Sequence, residues 1–520
     1  MSEQGRVRPG VRVVGGLVAT FTPDLGTITD GEVEIRGDSI TYVGPRRSSL
    51  PDEPGVDVLD ASGTLVIPGL VNGHVHSYGV FAKATVDTIP LDLFIPRVMA
   101  LGEILEDEDL YLAAALTALE TLRTGTTCVL DHLRYPYRRP LASFEAAVRG
   151  YLDAGIRATV APMFGDRPFA DTLPQVPHIA ATGLPPGEPA DADVYLQACA
   201  EAVSRWHGAA GRIQFFLGTD GPQRCTPHLL AESHEFLDAY PVGMHSHVLE
   251  AATQRVRGFQ LYGKSMVAVL DEVGLLTPRL SLVHFVWSDD DDQRRVAAAG
   301  ASVVHCPAAN LQVGSGLAPI PELLARGVPV ALGTDGANVL DLSLFTQVRL
   351  AALIHRVAHP WYHRWIRAQD AVRMATAGGA AVHGLTGQIG VLRPGARADL
   401  VLLDARGHAL AGADDVALAL ATRETGSSVR TVLVAGDVVV RNGRSTRLDE
   451  EALIARLLRR REALRPLIAR RQEEILGAYG SYVEAIYRAV MRDLGGDGRF
   501  ARPTTAWACW DDDGTREGRT

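Results

Sequence analysis

The chain has 520 residues, 47% of them hydrophobic and 22% charged, enough apolar material for a large core and more than one ordinary small domain needs. A formal net charge of −10 offers no basic footprint for nucleic acid or an anionic membrane. No apolar run approaches a membrane span, the segment MSEQGRVRPG is polar, and five scattered cysteines form no CxxC pair, so free thiols in a reducing, cytoplasmic setting are expected.

Residues 1–67 read as short strands between Gly and Asp turn signals, in VRVVGGLVATF, GEVEIRGDSITYVG and VDVLDASGTLVIPG. Residues 391–445 repeat the pattern in ADLVLLDA and VRTVLVAGDVVVRNGR. Neither end has enough strands to cover an apolar face alone, so the two are expected to pair in one small β-sandwich. Between them, residues 68–390 alternate buried-type strands (TGTTCVLDH, GIRATVAPMF, RIQFFLGT, PVGMHSHV, LSLVHFVW, ASVVHCP, PVALGTD) with helical stretches such as DEDLYLAAALTALETLRTG. That alternation predicts an α/β fold, a (β/α)8 TIM-like barrel. Residues 174–193, rich in Pro, Gly and Ala, read as a surface loop. Residues 446–520 read as a helical extension with a disordered end. Its apolar positions Leu453, Leu457, Leu458, Leu464, Ile468 and Ile475 follow a helical period, its RLLRRR run reads as a solvated face, and Pro466 is expected to break it. The extension is expected to pack on the barrel or across a homo-oligomer interface.

Several strand candidates end in an ionisable residue: His132, His247, His284, His305 and Asp335. Barrel enzymes build their sites at those strand ends. In PGLVNGHVHSYG, His74 and His76 stand two apart on an extended segment, so both imidazoles face one side. In MHSHVLE, His247 is preferred to His245 as a ligand because Glu250 then follows at H-x-x-E spacing. His284 ends LSLVH, and Asp335 closes PVALGTD before a glycine. Each alone has a bland reading as a turn or hydrogen-bonded core residue; the ordered set does not. Three imidazoles and a carboxylate on one divalent metal lower the pKa of bound water toward neutrality, and Glu250 can move protons beside it. Structural zinc favours cysteine-rich shells, which are absent. A non-catalytic scaffold is expected to have lost a residue such as His76 or Asp335, and both are present.

With these motifs in order, and with HCPAANLQVGSG from His305 to Gly316, residues 11–445 resemble the amidohydrolase superfamily. They are most similar to its aminohydrolase branch of cytosine, guanine and adenosine-type deaminases and triazine chlorohydrolases. The resemblance implies His74, His76, His247 and Asp335 as ligands of one divalent metal, zinc or iron, with zinc preferred. It implies Glu250 as the proton donor to a ring nitrogen, His284 as the group orienting the nucleophile, and Asp335 as the base. Some superfamily members bridge two metals with a lysine ending the fourth strand; RIQFFLGTDGPQRCT has none, and Lys83 and Lys264 lie elsewhere, so one metal is expected. The branch's PHAPYTC is TDGPQRC here, with Asp220 in place of histidine, and PLEEWL is PLDLFI, with Phe94 in place of tryptophan. Phe81, Asp92, Phe94, Trp287 and Asn310 are the expected contacts of a flat heterocyclic small molecule. The expected reaction is hydrolytic deamination of an amino-substituted N-heterocycle; the alternative is displacement of chloride or an alkylamine, or opening of a cyclic amide.

Overall fold

The structure, a computed structural model, describes residues 10–22, 24–47, 55–85, 87–179, 191–358 and 361–494. Eight parallel strands form its centre: Leu70–Val75, Thr126–Leu133, Arg157–Phe164, Ile213–Thr219, Gly243–Val248, Leu280–His284, Ser302–His305 and Val330–Leu332. Each hydrogen-bonds to its neighbours in sequence order, and the second and third are buried at every position. Burial on both faces is why these segments read as nearly continuous apolar runs. Gly73 of the first strand lies against Ala331 and Val304, so that a Cβ there would stand 3.1 Å from Ala331; the eighth strand thus returns to the first and nearly closes the barrel. The intervening helices start where the sequence caps them. Asp107–Arg123 opens on a reciprocal Glu106–Asp109 capping box, and Asp290–Ala299 on one between Asp289 and Asp292.

The two β-rich ends join in one nine-stranded sheet. Thr64–Pro68 and Leu400–Asp404 pair antiparallel, Leu400 opposite Pro68 and Asp404 opposite Thr64. The sheet curls so that Val13, Val33 and Ile35 of the first arm share a buried cluster with Leu400, Leu402 and Leu433 of the second. It sits against the N-terminal ends of the barrel strands. Arg157, opening the third strand, makes a two-point ion pair with Asp399 at 2.6 and 3.1 Å. Arg212, just before the fourth, donates to the Val434 carbonyl at 3.0 Å.

The C-terminal extension is one helix, Glu450–Leu494, which continues through Pro466. A proline removes one backbone donor and crowds the preceding turn. Here that cost is offset by a buried face that runs on both sides of it: Leu453 and Leu464 before, Ile475, Tyr479, Val483 and Ile486 after. The helix packs along the barrel, with Leu457 and Ile468 half-buried, while Leu458 points outward, 60% exposed. Its basic run is not wholly solvated, because Arg460 reaches the buried Asp109 carboxylate at 2.6 and 2.9 Å. The expected disordered end, and residues 180–190 of the expected loop, lie outside the described residues. Among the described residues no helix is long and apolar enough to cross a membrane.

Candidate metal centre

Six histidines meet where the barrel strands end: His74 and His76 from the first, His132 from the second, His245 and His247 from the fifth, His284 from the sixth. All are buried. The two-residue spacing brings the His74 and His76 rings to 4.6 Å, edge to face.

Hydrogen bonds fix which nitrogen of each ring faces inward. The Ser281 hydroxyl donates to the Met244 carbonyl at 3.2 Å. Since that carbonyl only accepts, Ser281 Oγ accepts from His245 Nδ1 at 2.6 Å, and His245 Nε2 accepts from His74 Nδ1 at 2.8 Å. The relay leaves His74 Nε2 a free lone pair, and this atom is buried with no hydrogen-bond partner. His76 Nδ1 donates to the His132 carbonyl, and His247 Nδ1 to the Asp220 carbonyl, each at 2.7 Å, so their Nε2 atoms also present lone pairs. Those two Nε2 atoms are 3.3 Å apart. Asp335 Oδ1 lies 3.7 Å from His76 Nε2 and 4.0 Å from His74 Nε2. Donors about 2.1 Å from a tetrahedral cation stand roughly 3.4 Å apart, so this donor set fits one divalent metal. His74 also forms compact ligand groups with His247 and His284, and with His132 and His245, each with atoms within 4.8 Å of one another.

Electrostatics keep these rings fit to ligate. Burial, then the neighbouring His76 and His245 imidazoles, holds His74 well below the ordinary histidine range. Burial lowers His76 despite Asp335, and lowers His284 to about 3. His247 is the exception: burial pushes it down, but its hydrogen bond to and the charge of Asp220 bring it above its ordinary value. Asp220 is itself buried, yet Arg224 and His247 hold its carboxyl well below the carboxylate range. Burial pushes Glu250 up to about 8, against the opposing effect of His247. Glu250 Oε2 lies 3.6 Å from His284 Nε2, whose ring is tethered through Nδ1 to Asn310 Oδ1 at 2.9 Å.

The backbone is strained at the same place. Leu249, His284, Phe285 and Asp335 have φ of 55°, 71°, 53° and 60°, in the left-handed region where side-chain-bearing residues cost about 1–3 kcal/mol each. Strain of that kind persists where packing and hydrogen bonding over-determine a conformation, as the relay and the Asn310 tether do here.

His74, His76, His247, Glu250, His284 and Asp335 are thus brought together, and all but His74 line one small cavity. Of the expected substrate contacts, Phe94 lines that cavity. Phe81, Asp92, Trp287 and Asn310 do not. Phe81 faces a groove against the C-terminal helix, and Asp92 accepts from Thr253 Oγ1 at 2.6 Å. The Trp287 indole donates to the Ser315 carbonyl at 3.0 Å, and Asn310 uses its Oδ1 on His284 while its Nδ2 is buried without a partner. Their loops run past the mouth, but the side chains turn into packing. His305 is buried beside His355, outside the cluster, with neither ring nitrogen hydrogen-bonded. Sequence reasoning missed Arg134, Gln223, Arg224 and Gln254 in the cavity wall. The i, i+4 spacing of Asp220 and Arg224, which pair at 2.5 Å, was a readable signal; nothing local marked Arg134.

A barrel whose strand ends gather imidazoles and carboxylates in this way is the frame of a metal-site hydrolase. The chain belongs to the amidohydrolase family, which matches residues 65–439. It is 32% identical over 448 residues to the 5-methylthioadenosine/S-adenosylhomocysteine deaminase of Moorella thermoacetica, covering 85% of this chain and 97% of that one. It is 31% identical over 442 residues to the 5'-deoxyadenosine deaminase of Methanosarcina mazei, covering 84% and 94%. Among solved structures it resembles the atrazine chlorohydrolase of Arthrobacter aurescens TC1 complexed with zinc, at 26% identity and a TM-score of 0.78 over 88% of this chain and 100% of that one. It shares the fold of a zinc-bound adenosine deaminase from Xanthomonas campestris, at 24% identity and a TM-score of 0.79 over 88% and 98%.

Proposed function

We propose that this chain deaminates an adenosine-type amino-heterocycle by hydrolysis, at a site where His74, His76, His247 and Asp335 hold one divalent metal, zinc first and iron second. The observation that carries it is the clustering of the His74, His76 and His247 imidazoles, with Asp335 Oδ1 within 4.0 Å of the first two, and Glu250, raised to about 8 by burial, beside His284. A cation held there supplies Lewis acidity, bringing the pKa of coordinated water toward neutrality. Asp335 takes a proton from the attacking water. His284, uncharged and tethered by Asn310, orients that water through Nε2. Glu250, whose pKa of about 8 keeps it protonated at neutral pH, gives its proton to the ring nitrogen next to the amino-bearing carbon. A C–O bond forms, the C–N bond to the amino group breaks, ammonia leaves with the proton that Asp335 had taken up, and the proton left on the new hydroxyl passes to Glu250 as the carbonyl forms. Phe94 supplies an apolar wall for a flat ring. The relatives' names support an adenosine-type substrate. The buried free thiols Cys128, Cys199, Cys225 and Cys306 support a reducing, cytoplasmic setting.

Likeness to the chlorohydrolase favours one second reading, in which the same residues displace chloride. Metal analysis and an ammonia-release screen separate the two. We expect about one metal per chain and ammonia from an adenosine-type compound. His247→Ala should lose the metal and the activity together, whereas Glu250→Gln should keep the metal and lose about 100- to 10,000-fold in rate. Chloride from a chlorotriazine without ammonia from any aminopurine would move the conclusion to the second reading. Absence of metal after reconstitution would overturn both.

A further inference from the structure

The groove that Phe81 faces is a separate cavity of about 540 Å³, a volume in the ordinary range of small-molecule sites. It lies between the helix Leu91–Ile104 and residues 458–472 of the C-terminal helix. Its floor is apolar: Phe81, Phe94, Val98 and Leu101 on the barrel side, Leu458 and Ile468 on the helix side. None of the clustered histidines lines it. It meets the inner cavity through Phe94 and Val98, which wall both. The family match ends at residue 439, so the helix side of the groove lies beyond what the chain shares with its family.

The rim is unbalanced in charge. Three arginines, Arg97, Arg461 and Arg465, line the groove against one acid, Glu462, in a chain whose net charge is −10. Glu462 is taken by Arg465 at 2.9 Å. Arg461 has one long contact, to the Lys83 carbonyl at 3.5 Å. The Arg97 side chain makes no hydrogen bond or ion pair among the described residues, and its Nε is buried. A guanidinium in that state gains from an acceptor, most of all from a carboxylate. Leu458, which stays mostly exposed, adds uncovered apolar surface beside it. The groove is also preformed. Gln472 donates to the Arg97 carbonyl at 3.3 Å and Arg471 pairs with Glu103 at 2.8 Å, which ties the two helices together at one end.

We propose that this groove is an effector site for an amphiphilic carboxylate, with the chain on the apolar floor and the carboxylate on Arg97 and Arg461. An apolar floor with unneutralised arginines at its edge is the complement of that chemistry. Occupancy sets the packing behind Phe94 and Val98, and through them the fit of the flat ring in the inner cavity. The metal ligands keep their places; what changes is the wall the ring lies against. The effect on turnover rests on reading the inner cavity as the hydrolytic centre, and binding does not.

The test titrates octanoate, its neutral analogue octanamide and the shorter butyrate into the metal-loaded full-length protein by calorimetry. Octanoate should bind best, with butyrate weaker by about 10- to 100-fold for the lost methylenes. Arg97→Gln should weaken octanoate by about 10- to 100-fold and leave octanamide unchanged, and Arg97→Lys should restore part of the loss. Ala469→Trp, an exposed position on the helix wall, should fill the groove and abolish binding. In ammonia-release assays saturating octanoate should shift KM by about 5-fold or more with kcat little changed, and Ala469→Trp should remove the shift. No octanoate binding, or binding that both variants leave intact, would overturn the site. Binding with KM unmoved would overturn the effector role. Octanoate binding lost in Ala469→Trp, in a protein that releases no ammonia, would uphold the site and sink deamination; ammonia release without octanoate binding would do the reverse.

Discussion

The two ends of the barrel are built to opposite rules. At the N-terminal end the large buried polar groups are paired: Asp399 takes both arms of Arg157 and also the Ala435 amide at 2.8 Å, and His383 bridges Thr159 at 2.7 Å and the Asn72 carbonyl at 3.1 Å. At the mouth four residues hold left-handed backbone, His74 Nε2 and both nitrogens of His132 lack partners, and Glu250 is pushed far from its ordinary pKa. Stability is concentrated where nothing reacts, and frustration where something must bind. A barrel can hold such a strained rim because its other end is clamped.

That contrast predicts that damage at the two ends reads out differently. The largest effect on folding should come from Arg157→Leu, which leaves Asp399 buried and uncompensated; about 3–5 kcal/mol should be lost in denaturant unfolding, with ammonia release per folded molecule unchanged in the cold. Loss of activity without loss of stability there would break the comparison. Ser281→Ala, at the far end of the relay behind His74, should weaken metal retention about 10- to 100-fold in a chelator competition while melting close to the parent, because ring orientation rather than packing is removed. The smallest effect sharpens the same point in the flanking sheet. Burial raises the Glu32 carboxyl, but hydrogen bonds from Arg12 and Arg47 outweigh it and bring the folded value from 4.5 down to about 2. A depressed folded pKa gives stability that is complete above the unfolded value and lost as pH falls through the folded one. The melting-temperature gap between the parent and Glu32→Gln should therefore be widest above about pH 4.5 and should close toward pH 2; a gap independent of pH would remove the ion pair as its cause.

Legibility followed the range of the forces involved. Barrel strands buried on both faces announce themselves as apolar runs, and His247, His284 and Asp335 stand out because they interrupt such runs at their ends. The HxH spacing fixes a common face by strand geometry alone. Preference for His247 over His245 also had a local sign, Glu250 three residues on, and His245 lies behind His74 in the relay. Phe81, Asp92, Trp287 and Asn310 were placed at the mouth by their loops, but loop position does not say which way a side chain turns, and each turned toward a partner far away in sequence. Pro466 shows the same limit: its local effect argues for a break, and tertiary burial along 45 residues overrode it. Arg134 had no local signal, since the cavity wall it joins is assembled from strand ends far apart in the chain.

The pairing of Thr64–Pro68 with Leu400–Asp404 also sets an order of events during synthesis. When the first of these strands leaves the ribosome, its partner is still unmade. Roughly 330 residues must be added before the edge can be covered, a wait on the order of 20–70 s at ordinary translation rates. Through that interval an apolar strand stands open to any other chain emerging nearby. Soluble yield in a cell should therefore rise with chaperone supply and change with translation speed along the barrel's coding region, which expression trials varying each would check.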